Sequence, residues 1–280
     1  MARLAVGEVS LNVELAGSGT PLLLLHGFTG SAAGWARQSE CLRRSFLTIA
    51  IDLLGHGCSD VPANPARYRM ERCIEDLARL LDRLRIDSAH WLGYSMGGRV
   101  ALAFAAAHPG RVQRLVLEGA SPGLADAAAR RARAAADDEL ARRLERDGLE
   151  AFVNAWTQQP LFASQARLGP AALAAARAAR LGNDPIGLAN CLRGLGTGVQ
   201  PPLWHHLAEI SAPTLLVAGA EDDKFRAIAQ AMAAHMPRAR VAVIPEAGHT
   251  THLENPAAFN RHVIAFLQPG NSPEAADERG

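Results

Sequence analysis

The chain has 280 residues, which is enough to bury one large core or to carry one domain with an insertion. Its 29 basic and 28 acidic residues nearly cancel, so its charge gives no reason to expect nucleic acid or an anionic membrane surface as a partner. The four cysteines show no CxxC spacing, and no basic-then-apolar leader opens the chain. We therefore expect a cytoplasmic protein with reduced thiols and without a membrane span, whose oligomeric state is unknown.

Apolar runs alternate with helical periods through the first 118 residues. Residues 4–15 alternate around Gly7, which indicates an antiparallel hairpin at one edge of a sheet. Continuous apolar runs predict strands that are buried on both faces, at 21–25, 46–51, 89–92 and 112–117. Helices are predicted between them, at 33–43, 70–84 and 99–107. This alternation of strand and helix is typical of a mostly parallel sheet with right-handed crossovers.

The pattern changes between residues 119 and 206. Helical segments rich in alanine and arginine are broken there by glycine and proline, and no convincing strand is present. Strands and helices resume afterwards, at 213–219, 224–236, 241–244 and 256–267. We therefore expect a core formed by 1–118 and 207–268, a helical insertion at 119–206, and a polar, disordered tail at 269–280.

Ser95 lies in a G-x-S-x-G motif between a predicted strand and a predicted helix. A serine in so abrupt a turn has strained backbone angles, and only glycine at positions 93 and 97 leaves room for the neighbouring backbone. The turn exposes the serine hydroxyl at a helix N-terminus. There the N–H of Met96 and the positive end of the helix favour negative charge. The motif is typical of a nucleophile elbow.

A serine hydroxyl is too weak an acid to react unaided, so it needs a general base and a group that orients the base. His249 and Asp222 each follow a predicted strand of the resumed sheet, and the carboxyl ends of parallel strands meet at one edge. We interpret His249 as the base and Asp222 as the acid. Asp223 and Glu118 remain alternative acids, although Asp223 fits better as the N-cap of the following helix.

A second turn that can contribute to catalysis follows the strand at 21–25. Its sequence, His-Gly-Phe, places the N–H of Phe28 where it can form an oxyanion hole with that of Met96. We interpret His26 in the same turn, and Asp52 after the next strand, as structural residues. His249, His252 and Glu254 together resemble a metal-ligand set, but no second cluster with ligand spacing supports one, so we expect no metal.

With these residues in place, the sequence resembles the α/β-hydrolase superfamily over nearly its whole length, in the motifs LLLLHGF, DLLGHGCSD, GYSMGGR, AGAEDDKF and EAGHTTH. The resemblance implies the α/β-hydrolase fold, with a mostly parallel eight-stranded sheet, flanking helices and a helical cap. Within the superfamily the chain is similar to the 2-succinyl-6-hydroxy-2,4-cyclohexadiene-1-carboxylate synthases. The segments that carry this similarity are 93–99, 118–124, 152–156, 158–164, 187–198 and 223–225.

That family of lyases eliminates pyruvate from 2-succinyl-5-enolpyruvyl-6-hydroxy-3-cyclohexene-1-carboxylate during menaquinone biosynthesis, without a cofactor. The resemblance implies that Ser95, His249 and Asp222 act as a base and not as an acyl carrier. The rival interpretations are a serine hydrolase of a carboxylate-bearing ester or ring-cleavage product, and a non-catalytic ligand receptor. The same three residues would serve a hydrolase, so they do not choose between these functions.

The substrate of the family is a small tricarboxylate, and guanidinium groups bind carboxylates through two parallel hydrogen bonds. Arg99 lies one helical turn beyond Ser95, on the face of the elbow. The resemblance places Arg133 and Arg177 at further carboxylate-binding positions, with Tyr94 and Trp156 along the pocket. Close competitors of the two later arginines are Arg130, Arg131 and Arg180.

Overall fold

The computed structural model describes residues 2–268, so the tail predicted at 269–280 lies outside the described residues. Eight strands form one sheet in the order β1-β2-β4-β3-β5-β6-β7-β8. The strands are Ala2–Ala5, Ser10–Ala16, Thr20–Leu25, Phe46–Ile51, Ala89–Tyr94, Val112–Glu118, Thr214–Gly219 and Ala239–Ile244. β1 and β2 form an antiparallel hairpin, β2 is antiparallel to β4, and the other pairs are parallel. The predicted mostly parallel sheet is confirmed.

The hairpin turns earlier than the alternating pattern suggested. Val6 donates its N–H to the carbonyl of Val9 at 2.8 Å, so the residues after Ala5 form a turn and not the second half of a strand. Gly7 has a φ of 88° in this turn, a conformation that side chains with a Cβ rarely adopt. The glycine therefore ends the first strand.

Helices cover both faces of the sheet. Outside the segment that joins β6 to β7, they are α1 Ala36–Leu42, α2 Met70–Leu84, α3 Met96–Ala107, α7 Asp223–His235, α8 Thr251–Glu254 and α9 Pro256–Leu267. The four leucines at 22–25 of β3 are fully buried: Leu23 and Leu25 belong to the core beneath α2 and α3, while Leu22 and Leu24 belong to the core beneath α1 and α9. Burial on both faces explains the continuous apolar run of this strand.

The segment between β6 and β7 is helical. It contains α4 Ala127–Thr157, α5 Pro170–Leu181 and α6 Pro185–Leu195, with 3₁₀ turns at Pro160–Arg167 and Trp204–Glu209. α4 is bent at Gly148, where φ is 85° and ψ is 167°, and it packs on α6 around a small apolar core of its own. Phe28, which follows β3, also contacts that core. The helices of this segment therefore lie against the edge of the sheet where the parallel strands end.

All four cysteines lie within residues 2–268, and none of them forms a disulfide there. Within the same residues, no helix combines the length and the apolar character that a membrane span requires.

Candidate active site

Ser95 lies in a strained turn between β5 and α3. Its φ is 49° and its ψ is −106°, outside the regions that residues with a Cβ usually adopt. A Cβ on Gly93 would lie 2.4 Å from the carbonyl oxygen of Gly97, and a Cβ on Gly97 would lie 2.3 Å from that of Leu25. Both glycines are therefore required by the close approach of neighbouring backbone. The turn presents the serine hydroxyl at the N-terminus of α3.

The structure brings Ser95, His249 and Asp222 into one hydrogen-bonded row. His249 Nδ1 lies 2.8 Å from Asp222 Oδ2, and His249 Nε2 lies 3.2 Å from Ser95 Oγ. A carboxylate only accepts hydrogen bonds, so Nδ1 carries the proton and Nε2 is free to accept the proton of the serine hydroxyl. The histidine and the aspartate are both buried, which strengthens the contact between them.

The two neighbouring aspartates have different environments. Asp222 is the N-cap of α7, because its Oδ1 accepts the N–H of Phe225 at 3.1 Å. The expectation that Asp223 caps this helix is therefore wrong. Asp223 is the first residue of α7, its side chain is 87% exposed, and it pairs with Arg226. Its carboxylate does not contact His249.

Glu118, the third candidate acid, orients a different histidine. Its carboxylate is fully buried at the end of β6 and accepts hydrogen bonds from the Thr251 hydroxyl at 2.7 Å and from the backbone N–H of His252 at 3.0 Å. It also lies 2.8 Å from His252 Nδ1, and the His252 ring packs against Trp35 with the two ring centres 4.5 Å apart. Glu118 therefore fixes the start of α8, directly after the loop that carries His249.

The loop that carries His249 is also held by Glu254, which the sequence interpretation considered only as a possible metal ligand. Glu254 accepts the N–H of Gly248 at 2.8 Å and that of Thr250 at 3.0 Å, so it fixes the backbone on both sides of His249. The Thr250 hydroxyl in turn contacts the Tyr94 hydroxyl at 2.9 Å. A sequence signal for this role exists, because an acidic residue a few positions after a threonine often accepts N–H groups at the start of a helix.

The turn after β3 carries Phe28, which lines the cavity beside Ser95. Gly30 donates to the carbonyl of Gly27 at 2.9 Å, and Thr29 has a φ of 66°, a strained value for a β-branched residue. Asn183, from the junction of α5 and α6, donates to the carbonyl of Thr29 at 2.9 Å and so holds the turn. Within residues 2–268 the N–H of Phe28 makes no hydrogen bond, and the same holds for the N–H of Met96.

His26 and Asp52 stabilise the loops behind this turn. His26 Nδ1 lies 2.8 Å from the carbonyl of Gly27, and Nε2 accepts the N–H of Leu53 at 3.0 Å. Burial lowers the pKa of His26, so the ring stays neutral. Asp52 accepts the backbone N–H groups of Ala32 and Cys58. His26 and Asp52 therefore stabilise the backbone of these loops, as the sequence interpretation expected. Within the described part of the chain, no group of three or more potential ligands is placed to hold a metal.

A cavity of about 690 Å³ opens between Ser95 and the helices of the segment that joins β6 to β7. It is large enough for a small organic molecule and mostly apolar. Its lining includes Phe28, Tyr94, Ser95, Met96, Arg99, Arg133, Trp156, Phe162, Phe225 and His249. The residues proposed for substrate contact at Tyr94, Arg99, Arg133 and Trp156 therefore surround the serine.

Arg99 is a buried cation without an acidic partner. It is 9% exposed, and one of its nitrogens, Nη1, donates to the Leu195 carbonyl at 2.9 Å and to Gln200 Oε1 at 2.8 Å. Burial lowers the pKa of the guanidinium to about 10, which leaves it charged at neutral pH. Within residues 2–268 no carboxylate lies within 4.0 Å of it. Such a cation is suited to bind an anionic ligand.

The other two proposed arginines differ from each other. Arg133 lines the cavity, and its Nε donates to Asp137 at 2.8 Å. Arg177 lies outside the cavity lining, and its guanidinium contacts Glu150 and Asn154 of α4. The structure thus does not place Arg177 at the site. Arg180, one turn further along, is not part of the lining either, but it is the better candidate, because its guanidinium lies over the ring of Phe162, which lines the cavity, and its Nε is buried without a partner in residues 2–268.

A parallel sheet that carries a serine elbow at the end of β5, with an aspartate and a histidine at the ends of two later strands, defines an α/β-hydrolase. In agreement, the family model described as alpha/beta hydrolase fold matches residues 20–256. A Bacillus subtilis (strain 168) protein named putative 2-succinyl-6-hydroxy-2,4-cyclohexadiene-1-carboxylate synthase is 47% identical over 88% of this chain and 89% of its own length. The synthase of that name from Enterobacter sp. (strain 638) is 38% identical over 88% of this chain and 91% of its own.

The solved structure of MenH from S. aureus superposes with a TM-score of 0.88 at 35% identity, covering 94% of this chain and 99% of that one. The chain belongs to the 2-succinyl-6-hydroxy-2,4-cyclohexadiene-1-carboxylate synthase family of the α/β-hydrolases. The resemblance found in the sequence motifs is confirmed.

Proposed function

We propose that this protein is a carbon–oxygen lyase of menaquinone biosynthesis, which eliminates pyruvate from 2-succinyl-5-enolpyruvyl-6-hydroxy-3-cyclohexene-1-carboxylate. Its product is then the conjugated diene for which the relatives are named. One observation supports this function most strongly: the Ser95–His249–Asp222 row opens into the same cavity as the unpaired cation of Arg99. A site for an uncharged ester would gain nothing from so costly a buried charge.

The first step is removal of a proton from ring carbon 2. Its C–H bond is acidified by the neighbouring succinyl ketone. Ser95 takes this proton while its own passes to His249 Nε2, and Asp222 stabilises the imidazolium that results. The histidine is already oriented for this transfer, because Nδ1 is bound to Asp222 and Nε2 faces Ser95 Oγ at 3.2 Å.

The electron pair from the broken C–H bond moves onto the succinyl ketone oxygen and forms a dienolate. We assign the N–H groups of Phe28 and Met96 to hold this negative charge, since neither has a hydrogen-bond partner within residues 2–268. Collapse of the dienolate forms the ring double bond at carbon 2, shifts the existing one to carbon 4, and breaks the bond from carbon 5 to oxygen. The leaving enolpyruvate takes up a proton and becomes pyruvate. No cofactor takes part in these steps.

Arginines in and next to the lining of the cavity bind the carboxylates of the substrate in this proposal. We assign Arg99 as the primary carboxylate ligand, with Arg133 in the lining of the cavity and Arg180 against Phe162, which belongs to that lining. Tyr94 and Trp156 provide apolar walls against the ring of the substrate. In this proposal residues 119–206 act as a cap over a core formed by 1–118 and 207–268, because they supply much of the wall of the cavity opposite Ser95.

The proposed function is tested by incubating the protein with the enolpyruvyl substrate. Release of pyruvate together with growth of diene absorbance supports the lyase. Turnover of small aryl esters alone would support a hydrolase, and binding without turnover would support a receptor. Ser95→Ala and His249→Ala should each lower kcat by on the order of a thousandfold, and the double variant little further, because residues that act as one unit are not additive.

A further inference from the structure

Gln200 contacts Arg99 from behind the cavity. It lies just after α6, is only 2% exposed, and accepts a hydrogen bond from Arg99 Nη1 through Oε1 at 2.8 Å. The same guanidinium nitrogen donates to the carbonyl of Leu195 at 2.9 Å. Both acceptors are uncharged, so they fix the direction of the guanidinium without compensating its charge.

The surroundings of Arg99 keep the charge unpaired. Buried arginines usually pair with a carboxylate, because an uncompensated charge in the interior is costly. The carboxylate of Asp137 is close enough to act on Arg99 electrostatically, but it is hydrogen-bonded to Arg133. Within residues 2–268, Nε and Nη2 of Arg99 make no hydrogen bond, and the residue lines the cavity. Two donors therefore remain for a ligand carboxylate.

An amide at position 200 has a specific consequence for the site. A glutamate would have nearly the same shape but would form an ion pair with Arg99 in the empty site, in direct competition with a ligand carboxylate. An amide supplies the same oxygen acceptor without that competition. Nε2 of Gln200 is buried and makes no bond within the described residues, so the oxygen is the part of the amide that acts on Arg99.

We propose that Gln200 is a positioning residue that holds Arg99 oriented but unpaired, and that the site thereby selects substrates that carry a carboxylate. The proposal rests on the proposed function, because it assigns Arg99 to a substrate carboxylate. Gln200 lies 101 positions from Arg99 in the sequence. Its uncharged amide group, and not its size, is what preserves the selectivity for a carboxylate.

The first experiment is steady-state kinetics of Gln200→Glu on the enolpyruvyl substrate. The introduced carboxylate should neutralise Arg99 and raise KM roughly ten- to hundredfold, with kcat changed by less than about threefold, because binding that is equal in the ground and transition states appears in KM. Gln113→Glu is the matched control, since Gln113 is exposed on β6 and bonds to Ser88. An unchanged KM for Gln200→Glu, or a loss of kcat alone, would overturn the proposal.

The second experiment measures thermal unfolding and does not depend on activity. Gln200→Glu should keep or raise Tm in the native background, because the new carboxylate meets a charge without a partner. In the Arg99→Ala background the same substitution buries an unpaired carboxylate and should lower Tm by roughly 10 °C. Equal Tm changes in the two backgrounds would show that Gln200 does not act on Arg99.

The two experiments separate failure of the proposed function from failure of this inference. If the native protein does not turn over the enolpyruvyl substrate, the proposed function is wrong, and the unfolding comparison still decides whether Gln200 faces the charge of Arg99. If the native protein is active but the two backgrounds respond equally, the function stands and the role of Gln200 is wrong.

Discussion

The change Asp222→Asn separates the two tasks of the Asp222 carboxylate. Its Oδ2 binds His249 Nδ1 at 2.8 Å, and its Oδ1 caps α7 by accepting the N–H of Phe225. Asparagine offers one oxygen and one NH₂ group in the same space. If the oxygen stays on the helix cap, the NH₂ group faces His249 Nδ1, which must then accept a hydrogen bond. His249 would carry its proton on Nε2 and could not take one from Ser95.

The expected size of the effect follows from these contacts. The wrong tautomer in a Ser-His-Asp row lowers kcat by about 10⁴-fold, which corresponds to about 5.5 kcal/mol in the activation free energy. The cap of α7 is worth only about 1 kcal/mol, and asparagine is an equally good cap, so Tm should fall by less than about 4 °C. The change should therefore remove activity and leave the fold intact.

The assay is the initial rate of pyruvate release, with Tm measured on the same preparations. Asp223→Asn is the control, because the Asp223 side chain is exposed and pairs with Arg226 on the surface. It should leave both quantities nearly unchanged. A larger loss for Asp223→Asn than for Asp222→Asn would move the acid to Asp223. A loss below tenfold for Asp222→Asn would refute the reasoning about the tautomer.

Three further predictions concern substrate binding, the oxyanion turn and acid stability. Arg99→Ala should lower kcat/KM for the enolpyruvyl substrate roughly ten- to hundredfold and Arg99→Lys should recover part of it, whereas equal losses on a neutral aryl ester would mean that Arg99 only holds α3. Asn183→Asp removes the amide donor to the Thr29 carbonyl, which holds the turn that carries the Phe28 N–H. The value of kcat should therefore fall about tenfold with KM little changed, and an unaltered kcat would contradict this role of Asn183. Burial lowers the pKa of His56 to about 3 and that of His90 to about 4, and it also lowers the pKa of His26, so the folded protein keeps all three histidines neutral. The unfolded chain binds protons at these groups below about pH 6.5, so the free energy of unfolding, and with it the urea midpoint, should fall as the pH drops from 7 to 5. The two histidines with pKa values of about 3 and about 4 together account for up to roughly 4 kcal/mol of this loss, and equal midpoints would contradict the assignment.

Local sequence patterns were sufficient for the fold and for the edge at which the site lies. The four leucines of β3 reveal a strand that is buried on both faces, and Gly93 and Gly97 reveal a backbone approach that no other residue allows. These signals depend on neighbours in the sequence, so they can be read without the structure. The positions of Asp222 and His249 after two strands follow from the same kind of signal, because parallel strands end at one edge.

Contacts between distant segments could not be predicted in this way. Arg177 and Arg180 lie on the same helix, and the rotation of α5 about its axis decides that Arg180 contacts Phe162 of the cavity lining while Arg177 pairs with Glu150. Glu118 is an acid at the end of a strand, like Asp222, yet it binds His252 and not His249. Gln200 lies 101 residues from Arg99 and has no motif of its own. Each of these assignments depends on the packing of side chains from elements far apart in the sequence.

The most direct test of the central claim, that Ser95 acts as a base and not as an acyl carrier, is the intact mass of the protein during steady-state turnover of the enolpyruvyl substrate. Samples are quenched rapidly while diene absorbance is still rising. The account predicts equal molar amounts of pyruvate and diene and an enzyme of unmodified mass at every time point. An adduct on Ser95 that forms and decays at the rate of turnover, or pyruvate released without diene, would contradict it.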